Sequence, residues 1–138
     1  MTSAPIEVED WLSARTLLHP RMTATVGLPV AGALELLVAA LTSHGYKVKD
    51  ATPSGFRATW WDRTGWLGVV AATDWEFKRT RLVVSATPSD AGTELAIQVE
   101  KGAEHRAGRR QGREALTAAF QDAQGRGVQV TTTPWVKP

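Results

Sequence analysis

The chain has 138 residues, no cysteine and a formal net charge of +2. That length suits one domain and buries roughly 70% of the unfolded chain's surface, so no disulfide or metal staple is needed. The missing cysteine excludes disulfides, thiolate zinc sites, iron–sulfur clusters and a thiol nucleophile, and the small net charge argues against binding to nucleic acid by bulk charge alone, while a pI near 9.3 leaves room for a local basic patch.

Residues 1–5 read as a flexible tail and residues 6–18 as a short N-terminal helix. Glu7, Glu9 and Asp10 suit the positive end of its dipole, and Trp11, Ala14, Leu17 and Leu18 share one face. His19-Pro20 ends it, because the residue before proline is pushed out of the α region. Met22 to Val26 alternates and reads as a strand. A helix follows from Pro29 to about Ser43, with Gly45 placed to close it. This helix is apolar nearly all round, from Val30 to Leu41 with only Glu35 charged. It calls for cover on more than one side, from the sheet and N-terminal helix or from a second subunit in a homodimer.

Strand patterns then run over 46–49, 56–61, 66–71, 80–86 and 93–100. Turns are read at 52–55 and 88–92, and 62–65 is a hairpin-type connection that sets Trp61 opposite Trp66. Residues 73–79 change parity, which a bulge near Lys78-Arg79 explains. A second long helix covers 103–124, with Gly112, Leu116, Ala119, Phe120 and Ala123 as its apolar stripe and Gly125-Arg126-Gly127 as its stop. Residues 128–133 add an edge strand.

The order (α)βαβββββα(β) predicts a single α+β domain over 1–138, with a curved antiparallel sheet of about 5–7 strands and two main helices on one face. In outline it resembles small helix-on-curved-sheet folds, such as helix-grip or TATA-binding-protein-like domains. That similarity is of element order and carries no functional residues over.

Two surface features could carry chemistry. Lys101, His105, Arg106, Arg109, Arg110 and Arg113 gather at the start of the second helix. Four of them follow i, i+3, i+4, i+7 spacing, so like charges share an arc beside the apolar stripe, at the dipole's positive end. An anion there, from phosphate, nucleic-acid backbone or an acidic partner, would relieve the repulsion, and Gly102, Gly108 and Gly112 would let it approach. The alternative is a solvated face neutralised by Glu100, Glu104 and Glu114. The second feature is a platform of Arg57, Trp61 and Trp66 on the sheet face opposite Phe56, Ala58 and Trp60, against a covered cross-strand pair. A third possibility is an apolar pocket between sheet and helix.

No metal or cofactor is expected, since His19, His44 and His105 are scattered and no Gly-x-Ser-x-Gly elbow occurs. Asp74 and Glu76 flank Trp75, as an acid/base pair or a solvated loop. Arginine outnumbers lysine 11 to 5 and asparagine is absent, a usage typical of a GC-rich, bacterial genome. The start has no basic and apolar signal segment, and the longest apolar stretch falls short of the ~20 residues of a membrane span, so a cytoplasmic protein is expected. The leading expectation is a non-enzymatic binding or interaction domain that takes a small apolar ligand or a protein partner in its cleft or on its Trp hairpin. Phosphate or nucleic-acid binding through Arg106 to Arg113 is the alternative, and a small enzyme with a hydrophobic cleft the third.

Overall fold

A computed structural model describes residues 4–11, 19–61 and 79–137. Six strands and two long helices follow one another in these segments. They are β1 (Arg21–Val26), α1 (Val30–Ser43), β2 (Lys47–Thr52), β3 (Gly55–Trp61), β4 (Arg79–Ser89), β5 (Gly92–Lys101), α2 (Arg106–Gly125) and β6 (Val130–Thr132). All neighbours in the sheet are antiparallel, in the order β2-β3-β4-β5-β1-β6. The chain is thus a single α+β domain with its two helices on one face of the sheet. No described helix is long and apolar enough to cross a membrane.

Alternation decides which face is covered. Met22, Ala24 and Val26 of β1, Leu82, Val84 and Ala86 of β4, and Leu95, Ile97 and Val99 of β5 are buried, while their neighbours are more exposed. Onto this face α1 lays Ala33, Leu34, Leu37 and Leu41, and α2 lays Ala115, Leu116, Ala119, Phe120 and Ala123. The layer between sheet and helices is filled by these side chains.

Both helices stop by the same local device. Gly45 and Gly127 adopt φ of +90° and +82°, conformations that cost a side-chain-bearing residue energy. The next amides then turn back: Tyr46 N donates to Leu41 O and Val128 N to Ala123 O, each at 2.9 Å. The stop signals at Gly45 and Gly127 therefore operate as the sequence suggests. The β4–β5 turn is tighter than expected. Pro88 and Ser89 remain in the strand, paired with Thr93 and Gly92, so only Asp90 and Ala91 form the tip.

The N-terminus differs from the expectation. Residues 4–10 carry no helix, and residues 12–18 lie outside the described residues. Instead, residues 4–10 run as a strap antiparallel to α2, gripped by a ladder of its side chains. Gln124 accepts from Ile6 N at 2.9 Å and donates to Ala4 O at 3.1 Å. Gln121 donates to Ile6 O, Thr117 accepts from Val8 N, and Arg113 Nε donates to Val8 O at 2.8 Å. Arg109 closes the ladder on Asp10 at 3.0 Å. The strap makes its backbone bonds to side chains, so helix formation is not needed to satisfy them. The expected tail thus has a bonded residue in Ala4, and Trp11 at the strap's end is fully buried.

Trp11 Nε1 donates to Ala103 O at 2.6 Å, and its ring meets Trp135 edge-on, with centroids 5.5 Å apart. Trp135 Nε1 donates to Glu9 O. Tyr46 is buried beside them and donates its hydroxyl to Gly108 O at 2.7 Å. Burial pushes its phenol well above the ordinary value near 10. The neutral form is favoured in the fold, so this contribution is complete below the unfolded value and is lost as pH climbs above it. Tyr46 is the one tyrosine of the chain. A titration followed by tyrosinate absorbance should therefore show no ionisation until the protein unfolds. Smooth ionisation near pH 10 with native circular dichroism would contradict this burial.

Candidate binding face

The face of the sheet turned away from α1 and α2 carries the other parity of each strand. Register places its residues in rows across the strands. Lys47, Thr59, Arg81 and Lys101 form one row, and Lys49, Arg57, Val83, Gln98 and Arg21 the next. Further along come Ser85, Ala96 and Thr23, then Thr87, Glu94 and Thr25. The first two rows collect six cations, and Arg21, Lys47, Lys49 and Arg57 are exposed. The other end of the face is mostly small and hydroxylated.

Two bulges set acidic groups among the cations of this face. In β5 the register shifts so that Lys101 stands opposite Arg81 and Val99 opposite Leu82, which leaves Glu100 as the extra residue. Its carboxylate lies 3.5 Å from Arg81 Nη1 and 3.8 Å from Arg57 Nε. In β2 the shift between Lys49 and Thr52 contains Asp50 at φ +54°. Aspartate tolerates this left-handed conformation better than most residues. Its carboxylate lies 3.6 Å from Arg57 Nη1. Arg57 is thus held between two carboxylates supplied by irregularities, with half of its side chain exposed. Pairs this long and this exposed contribute little stability each. At the same end, Arg79 stands opposite Trp61, its guanidinium 4.9 Å from the centre of the Trp61 ring.

The candidate platform residues therefore occupy this face in part. Arg57 and Trp61 lie on it, Trp61 partly exposed. Trp66 lies outside the described residues, as do the expected strand 66–71 and the Asp74–Glu76 pair. Over 55–59 the two edges of β3 are taken by β2 and β4, and Arg79 stands across from Trp61 on the β4 side; the expected connection at 62–65 lies outside the described residues.

The arginine cluster is divided. Arg109 and Arg113 belong to the strap ladder, Arg109 also donating to Glu104 O at 3.4 Å. Arg106 and Arg110 are exposed. His105 caps α2, its Nδ1 accepting from Gly108 N at 3.1 Å, and its ring lies 5.5 Å from that of Trp60. Lys101 ends β5. Gly108 and Gly112 admit protein rather than an anion: a Cβ at Gly108 would strike the Thr80 hydroxyl, and one at Gly112 would lie 2.7 Å from Tyr46 Oη.

An open groove of about 560 Å³ runs between α1 and α2 on their outer side, floored by Leu28, Leu36, Ala40 and Ala119 and edged by Glu35 and Arg126. It lies away from the sheet, unlike the pocket expected between sheet and helix. No group of three or more metal-ligating side chains occurs among the described residues.

Lys47, Lys49, Arg81 and Arg21 lie outside both surface features that the sequence pattern marks. Lys47 and Lys49 carry a local signal, same-parity cations in one strand. Arg21 gives none, since 25 residues lie between it and Lys47 and only the strand order brings them to one face. No protein-family model matches the chain, and no curated protein matches it in sequence.

Proposed function

We propose that the domain is a binding module, and that the basic end of the sheet face turned away from α1 and α2 takes an anionic partner. The observation that supports this reading is the gathering of Arg21, Lys47, Lys49, Arg57 and Arg81, with Asp50 and Glu100 as ion-pair partners among the described residues. Like charges brought this close repel, and the two carboxylates offset them only in part. A partner's anionic groups lower that repulsion and release counterions, which gives affinity that falls with salt. Three of the five are arginines, whose planar forks bind phosphate or carboxylate oxygens two at a time.

The test is a titration with inorganic polyphosphate at low salt. Wild type should bind, and Lys49→Glu with Arg57→Glu should weaken binding about tenfold or more, as expected when two cationic contacts become repulsive. Arg106→Glu with Arg110→Glu should leave binding within about twofold, because those charges lie on the helix side of the domain. The reverse pattern would move the site to α2 and end this reading.

A second reading rests on the groove between α1 and α2, whose volume lies in the ~300–1,000 Å³ range of small-molecule sites. It keeps the expectation of a small apolar ligand but moves it to the outside of the helix layer. Native mass spectrometry of gently purified protein separates the two readings, because retained mass that Ala39→Glu abolishes belongs to the groove.

A further inference from the structure

We infer that the anionic partner of the sheet face is a single-stranded nucleic acid, an inference that rests on the anionic-partner reading above. The first reason is the shape of the charge. Lys49 and Arg21 stand in one row with β3, β4 and β5 between them, four strand spacings of about 4.8 Å, so the band is about 19 Å long. Lys47 and Arg81 lie two residues along the strands, which makes the band about 7 Å wide. A band this narrow follows one backbone. A duplex presents two backbones across a groove of about 6 or 12 Å and is read by an element that enters it. Among the described residues the cations sit on the strands themselves, with no helix on this face to enter a groove.

The second reason is what lies between and beside the cations. Val83 and Gln98 occupy the row between Arg57 and Arg21, and Ala96 lies one row on; all three are half-buried. Trp61 is partly exposed at the band's end, with Arg79 on its ring. Apolar and aromatic surface interleaved with cations suits a chain that alternates phosphates with flat bases. An acidic peptide would use the cations and gain less from that surface. Gln98 adds an amide donor and acceptor within reach of base edges.

The experiment uses the full chain and fluorescence anisotropy with a labelled oligothymidylate, from low to physiological salt. Competitors are a blunt duplex of the same length, polyglutamate of matched charge and inorganic polyphosphate. The oligothymidylate should bind most tightly, with a slope of log affinity on log salt of roughly −2 to −3, as three or four neutralised phosphates require. Lys49→Gln with Arg57→Gln, which removes charge without reversing it, should weaken it about fivefold or more and flatten the slope by about one. Equal binding of polyphosphate and oligothymidylate, both lost in that variant, would overturn the nucleic-acid assignment and leave the anionic face standing. Tighter binding of the duplex would overturn it in favour of double-stranded DNA, and tighter binding of polyglutamate in favour of an acidic protein. No binding of any of the four at low salt would overturn this inference and the anionic-partner reading together.

Discussion

Replacing Trp11 by alanine should destabilise the domain by about 3–5 kcal/mol, the usual cost of emptying a fully buried aromatic site. At this chain length that lowers the melting temperature by roughly 10–20 °C. The ring is completely buried, packs edge-on against Trp135 and touches α2 where Gly112 leaves room. Its loss also strips the Ala103 carbonyl of its donor, which adds about 1 kcal/mol. Trp11→Phe should cost less, because most of the volume remains and only the indole hydrogen bond and part of the packing go. Differential scanning calorimetry of the two variants checks the order. A shift under about 3 °C for Trp11→Ala would show that the strap is not docked in this way.

The second large effect is expected at Gly112. A Cβ there lies 2.7 Å from Tyr46 Oη and 2.9 Å from Trp11 Cη2, closer than real Cβ atoms come. Neither neighbour can withdraw easily. Tyr46 is tied to Gly108 O, and Trp11 is tied to Ala103 O with Trp135 behind it. Gly112→Val forces two further methyl groups into the same space, and overpacking of this kind costs about 1–3 kcal/mol or more. The expected fall in melting temperature is about 10 °C. In an open helix the same glycine would be a liability, worth about 1 kcal/mol against alanine. Gly125 supplies that comparison, since a Cβ there meets nothing within 4 Å. Gly125→Ala should therefore be neutral or slightly stabilising while Gly112→Val is damaging. Equal behaviour of the two would mean that α2 does not approach Tyr46 and Trp11 so closely.

Gly112 also shows how a residue can be placed correctly and still be misread. Its position in the stripe with Leu116, Ala119, Phe120 and Ala123 follows from helical spacing, and all five are buried. The gap left by its missing side chain suggests room for an anion. In the fold, Tyr46 from the residue before β2 and Trp11 from the strap take that room. Arg109 and Arg113 repeat the lesson. Their spacing along α2 is real, yet it matches the strap's rise along the helix, and Asp10 and Val8 receive them.

The sequence by itself determined what depends on neighbours a few residues away. Alternation in Met22 to Val26 and in Thr93 to Glu100 identifies strands and the side each turns inward. Gly45 and Gly127 end the helices because left-handed backbone is local chemistry. The antiparallel α+β class follows from short connections between strands. Tertiary structure decided what depends on distant segments. β1 pairs with β5 and β2 lies at the far edge, so Arg21 joins Lys47 and Lys49 on one face across the whole sheet. Bulges at Asp50 and Glu100 turn carboxylates toward Arg57, a matter of register between strands and not of periodicity within one. The strap forgoes a helix because α2 offers Thr117, Gln121 and Gln124 as partners for its backbone. The physical reason is common to all three. Periodicity fixes which way a side chain points relative to its own element, whereas pairing, register and docking are chosen by free energies summed over segments far apart in sequence.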